Sequence, residues 1–199
     1  MTRGRPRQFD EDVALTGAMC LFWEKGLSAT SLDDLAIAMN MSRPSIYNAF
    51  GNKDAIYRKS LARFCGQLDQ GMRETLDTST NVHVGLIAFF DQAIEVYCGS
   101  NPQMGCLMIC TAPSEALSNP EVGKDLKALI SRLDDGLTRR LQQAKCDGEL
   151  AEEVQPKFAA KLLQATLQTL AIRARTGESK ASLRKIARYA VAVLAAPIH

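Results

Sequence analysis

Arg43, Ser45, Tyr47 and Asn48 sit within six residues of one another in the short stretch RPSIYNAF. Arginine carries a planar fork of donors and no acceptor, serine and asparagine can both donate and accept, and tyrosine adds a hydroxyl on a flat ring. Such a set reads hydrogen-bonding edges and holds anions. It breaks no bonds, because no base stands beside a nucleophile. Ser42 and Pro44 complete the stretch, Thr30 and Ser31 precede it, and Lys53 follows. Three further cations, Arg3, Arg5 and Arg7, occupy the first seven residues without an acid among them.

Other chemistries find little support. The two histidines, His83 and His199, are far apart, and the six cysteines (Cys20, Cys65, Cys98, Cys106, Cys110 and Cys146) form no CxxC pair. No metal or other cofactor is expected. A Gly-rich phosphate loop and a Gly-x-Ser-x-Gly elbow are both missing, so the chain is not expected to be an enzyme. Hydrophobic residues make up 46% and charged residues 23% of the 199, with a net charge of +2. That is the composition of an ordinary globular protein, not of a disordered one or a polycation. The start lacks the apolar segment of a secretory signal, and no run reaches the ~20 residues a membrane span needs. A cytoplasmic protein with reduced thiols is expected.

Helix is predicted nearly throughout. The first helix should follow Asp10 as N-cap and end at Gly26, with Val13, Gly17, Leu21 and Phe22 facing inward. Ser31 with Asp34 forms a capping box for the second, whose Leu32, Leu35, Ala36 and Met39 make one buried stripe. Asn40 tolerates the left-handed turn. Ser42 caps the third helix, Pro44 fits its first turn, and Ile46 and Phe50 share its inner face. Asn52 caps a long fourth helix over 53–77. Further helices are predicted over 82–98, 106–117 (perturbed by Pro113), 120–145, 156–176 and 179–195. The fold class is all-α, with about nine helices: a three-helix helix-turn-helix domain over 1–53, then a larger helical domain over 54–199 for ligand binding and dimerisation.

A capped helix, a tight turn and a second short helix make a helix-turn-helix, whose second member fits the major groove of B-DNA. On that reading Arg43 contacts a guanine edge or a phosphate, and Ser45 and Asn48 contact base edges. Tyr47, Thr30, Ser31 and Lys53 contact the backbone. The arm of Arg3, Arg5 and Arg7 enters an A·T-rich minor groove.

The segments TSLDDLAIAMNMS and RPSIYNAFGNKDAIY resemble the N-terminal domain of the TetR family of bacterial transcriptional regulators. The pattern is carried by Thr30-Ser31, by Ile46-Tyr47-Asn48-Ala49-Phe50 and by Lys53-Asp54, with FWEKGLSATS as the approach. Asn40 stands where the family often has glycine, and Pro44 where it often has a basic or small residue. The resemblance implies a repressor that binds a palindromic double-stranded operator as a homodimer joined through the last two helices. Phe158, Leu162, Leu163, Thr166, Leu167 and Leu170 form one candidate stripe for that interface. Leu183, Ile186, Ala187, Ala190, Val191 and Leu194 form the other. It also implies a small-molecule inducer held by the middle helices, with Phe89, Phe90, Tyr97, Met104, Cys106, Met108 and Cys110 as candidates. In the alternative reading Cys106, in the run MGCLMIC at a helix N-terminus, has a lowered pKa and senses oxidants or electrophiles.

Deleting residues 1–7 should weaken operator binding and flatten its salt dependence, by about 0.9 in slope for each phosphate the arm neutralises. Binding titrations across a salt series check this; unchanged affinity and slope would remove the arm from DNA recognition.

Overall fold

The computed structural model describes residues 10–77, 81–100 and 102–195. Among them there are nine α-helices and no strand. In order they are α1 (Glu11–Lys25), α2 (Leu32–Ala38), α3 (Arg43–Phe50), α4 (Lys53–Met72), α5 (Val82–Tyr97), α6 (Leu107–Glu115), α7 (Pro120–Cys146), α8 (Pro156–Arg175) and α9 (Lys180–Leu194). A π-helical turn, Arg73–Asp77, extends α4. The chain forms two compact units, Met1–Ala62 and Arg63–His199, whose boundary falls within α4.

The helix ends have local causes. Asp10 accepts hydrogen bonds from the N–H groups of Asp12 and Val13 at the start of α1. Ser31 and Asp34 close a reciprocal capping box on α2, and the Ser42 hydroxyl accepts from the Ser45 N–H on α3. Gly26 and Gly51 end α1 and α3. Asn40, at φ 51, is the one non-glycine residue at positive φ among those described. It turns the chain between α2 and α3, where most side chains would clash.

In the first unit Phe22, Leu35, Ile46, Ile56 and Tyr57 are fully buried, and Phe22 meets Tyr57 edge-on at 5.1 Å. α1 differs from expectation at one position. Val13 is 67% exposed, and the inward face is carried by Ala14, Ala18 and Phe22, with Gly17 and Leu21 half-buried. A Cβ on Gly17 would stand 2.1 Å from the carbonyl oxygen of Ala38, so α1 can approach α2 this closely only with glycine there.

In the second unit α7 contributes Leu129, Leu133, Leu137 and Leu141, one per turn, to a core shared with α5 and α8. The fourth helix does not run unbroken to 77. It widens into the π turn after Gly71 and Met72. Gly71 lies against the Gln92 amide of α5, and Met72 lies against Gly136 of α7. The Thr75 hydroxyl donates to the Gly71 and Met72 carbonyls at 2.8 and 3.3 Å, which satisfies groups at the change of register.

Gly17→Ala should destabilise the first unit by about 2 kcal/mol, since backbone must move to admit the methyl. Denaturant unfolding followed by fluorescence of Trp23, the sole tryptophan, measures the change. An unaltered midpoint would show that α1 and α2 can separate freely.

Candidate nucleic-acid interface and effector cleft

α3 presents one polar face. Ile46 and Phe50 are buried beneath it, while Ser42, Arg43, Pro44, Ser45, Tyr47 and Asn48 are exposed. Pro44 sits in the first turn, where a missing N–H leaves no intrahelical gap. The structure therefore brings these six predicted residues together on one surface. Arg43 is the only cation on α2 or α3, and both its Nε and its Nη2 donate to the carboxylate of Asp33 on α2, Nε at 2.8 Å. Sequence reading did not single out Asp33. No local pattern links residues ten apart on different helices.

The remaining predicted contacts are placed differently. Thr30 is buried, and its hydroxyl donates to the Gly26 carbonyl at 2.6 Å. The Ser31 N–H and hydroxyl both donate to Asp34, at 3.0 and 2.8 Å. These two bonds, with a further one from Lys25, hold the Asp34 carboxyl down to about 2. A phosphate would have to displace an ionised carboxylate to take the Ser31 groups. The Lys53 ammonium donates to the carbonyls of Leu27 and Thr30, both at 2.9 Å. It ties the start of α4 to the loop between α1 and α2. Arg3, Arg5 and Arg7 lie outside the described residues.

In the second unit a cleft of about 60 Å³ opens between α4 and α5. Phe64, Leu68, Met72, Phe89, Ala93 and Val96 make its apolar walls, and Gln67 and Gln92 are its polar side chains. No charged residue lines it. Of the seven predicted ligand residues only Phe89 does so. Phe90, Tyr97, Cys106 and Met108 are buried in packing, and Met104 and Cys110 are half-buried. A wider recess of about 290 Å³ lies between the end of α4 and α7, edged by Asp69, Arg73, Asp77, Arg132, Asp135 and Arg139.

Cys106 does precede α6 as its N-cap, yet its pKa moves opposite to the expectation. Burial pushes the thiol up to about 12, outweighing the N–H groups of Ile109 and Met108 that favour the thiolate. Desolvation of a fully enclosed sulfur exceeds what the helix end supplies. Cys98 and Cys110 are raised by burial too.

The predicted interface stripes divide. Leu163, Leu167, Leu170, Leu183, Ala187 and Val191 are intrachain core, and Thr166, Ile186, Ala190 and Leu194 are half-buried. Phe158 and Leu162 are exposed at 63% and 52%. Ile172, Tyr189 and Val193, which the stripes omitted, are exposed as well.

Two family descriptions match the sequence: "Bacterial regulatory proteins, tetR family" over residues 14–59, and "Tetracyclin repressor-like, C-terminal domain" over residues 85–190. The chain belongs to the TetR family. Among TetR-family relatives, the HTH-type transcriptional repressor ComR of Escherichia coli (strain K12) is 30% identical over 187 residues, 94% of this chain and 89% of that protein. A cysteine mutant of the TetR-family regulator CifR, complexed with 26bp double-strand operator DNA, superposes with a TM-score of 0.87. It is 28% identical, with 96% of this chain and all of that one covered. The reduced form of E. coli NemR shares the TetR fold at a TM-score of 0.82 and 18% identity, over 94% and 98% of the two chains. The chain is thus a DNA-binding transcriptional regulator of that family. Among the described residues no helix is long and apolar enough to cross a membrane, and no cluster could hold a metal ion.

Lys53→Met should lower the thermal stability of the first unit by about 2 kcal/mol, through loss of two charge-assisted hydrogen bonds. The salt slope of DNA binding should stay at its wild-type value. A slope smaller by about 0.9 would show instead that Lys53 neutralises a phosphate.

Proposed function

We propose that this TetR-family regulator is a homodimeric repressor that reads a palindromic double-stranded operator through α3. A small, neutral, largely apolar inducer bound between α4 and α5 releases it. The observation that carries the reading is the exposed set Arg43, Ser45, Tyr47 and Asn48 on a helix whose other face is locked by Ile46 and Phe50. The CifR structure, which holds operator DNA, and the repressor ComR support it. One helix of eight residues offers few base contacts. Two copies spaced one turn of duplex apart double them and demand a palindrome. Phe158, Leu162, Ile172, Tyr189 and Val193 supply apolar area on the last two helices for that pairing. Arg3, Arg5 and Arg7 are assigned to the flanking minor groove, and the protein to the cytoplasm, where its DNA is.

The inducer class follows from the lining of the cleft. A charged ligand would be desolvated there without a counter-charge, whereas a neutral one with a single polar group meets Gln67 or Gln92. Because α4 belongs to both units, displacement of its C-terminal half reaches the helix-turn-helix. The inducer must bind the released state better. Tenfold weaker DNA binding requires ~1.4 kcal/mol of such preference. The burial and raised pKa of Cys106 argue against that thiol as the trigger.

Wild-type protein should sediment as a dimer at micromolar concentration and protect a palindrome in the DNA flanking its own gene. The double variant Leu162→Asp, Tyr189→Asp should sediment as a monomer and bind that palindrome at least about a hundredfold more weakly. A wild-type monomer, or a monomeric variant with intact affinity, would overturn the dimeric reading.

A further inference from the structure

Arg43 opens α3 as its first residue, the place from which recognition helices reach base edges. It is an unfavourable place for a cation, because the N-terminal end of a helix is itself positive. The first turn of α3 contains no acid to offset this. The offset comes from Asp33, in the first turn of α2, where the positive end of that helix steadies a carboxylate. Its neighbour Asp34 is taken up by the capping box and Lys25. Asp33 makes no capping bond among the described residues and is turned to Arg43 alone.

The pairing uses one edge of the guanidinium. Nε and one hydrogen of Nη2 point to the same oxygen of Asp33. The end of the fork, one N–H each on Nη1 and Nη2, makes no hydrogen bond among the described residues. Those two parallel donors match the O6 and N7 acceptors of guanine in the major groove. An arginine held by its side edge cannot swing to a phosphate without leaving its carboxylate partner. A carboxylate beside the duplex also repels backbone phosphates and so penalises mixed-sequence DNA.

We propose that Asp33 is a specificity-determining positioning residue, which holds Arg43 in the pose that reads a guanine edge and keeps it from serving as a general phosphate contact. This rests on α3 being the groove-reading helix. The two ideas can fail separately.

The test uses the full-length protein and a duplex pool with a random core of about 20 base pairs, two half-sites one helical turn apart, sequenced after selection. Alongside, binding to poly(dI-dC) is titrated across a salt series. Wild-type protein should select guanine at one symmetric position per half-site. Asp33→Ala and Asp33→Asn should each reduce that preference about tenfold. Both should bind poly(dI-dC) several-fold more tightly, with a salt slope steeper by about 0.9 as the freed arginine takes a phosphate. Asp33→Glu, which keeps the charge, should retain most of the preference. Thermal midpoints near wild type would assign these changes to recognition rather than folding, since Asp33 is exposed. Wild-type selectivity in both Asp33→Ala and Asp33→Asn, alongside loss of guanine in Arg43→Ala, would overturn the role of Asp33 and leave α3 as the reader. Unchanged selection by Arg43→Ala itself would also overturn the role of Asp33, and a wild-type protein that selects no sequence would overturn the groove-reading proposal as well.

Discussion

The first unit depends on how closely two helices can approach. The backbone of α1 at Gly17 and the carbonyl of Ala38 leave no room for a single carbon between them. Because α2 is only seven residues long, this approach fixes nearly its whole length. Asn40 then turns the chain at once into α3, so the pose of α3 is inherited from the α1–α2 packing through one left-handed residue. Short helices are marginal on their own and take their order from packing. Here that packing, through Ile46 and Phe50, leaves Tyr47 and Asn48 on the outer face of α3 exposed.

The polar side chains around that face fall into two groups. Thr30, Ser31, Asp34 and Lys53 close the loops and caps that hold the scaffold. Ser45, Tyr47 and Asn48 are turned outward and hold no helix packing together. Arg43 and Asp33 stand between the groups, an internal pair with an outward end. Rigid side chains suit a reader of base edges. The rotamer entropy an arginine would lose on binding is already partly spent in the free protein.

Much of this was legible in the residues. Caps at Asp10, Ser31 and Ser42, the stops at Gly26 and Gly51, and the period of Ile46 and Phe50 all act within a few positions, and local rules reach them. What escaped depends on distance in the chain. The need for glycine at position 17 is set by the Ala38 carbonyl of α2, far along the chain. The widened turn at Arg73–Asp77 follows Gly71 and Met72, which lie against Gln92 of α5 and Gly136 of α7, partners distant in the chain. Lys53 pairs with carbonyls more than twenty positions earlier. For Cys106 the helix-end effect was readable, whereas the enclosure that reverses it is a property of the packed unit. The cleft, too, is walled by helices whose pairing no single segment encodes, and of the aromatic and sulfur residues predicted to line it only Phe89 does.

The enclosure of Cys106 has a use of its own. A neutral thiol sealed at the start of α6 can meet a small alkylating reagent only when the surrounding helices part. Its labelling rate is therefore a clock for that breathing, while exposed Cys20 and Cys146 supply an internal standard for the reagent in the same tube. Anything that tightens the second unit should slow the first signal and leave the other two alone.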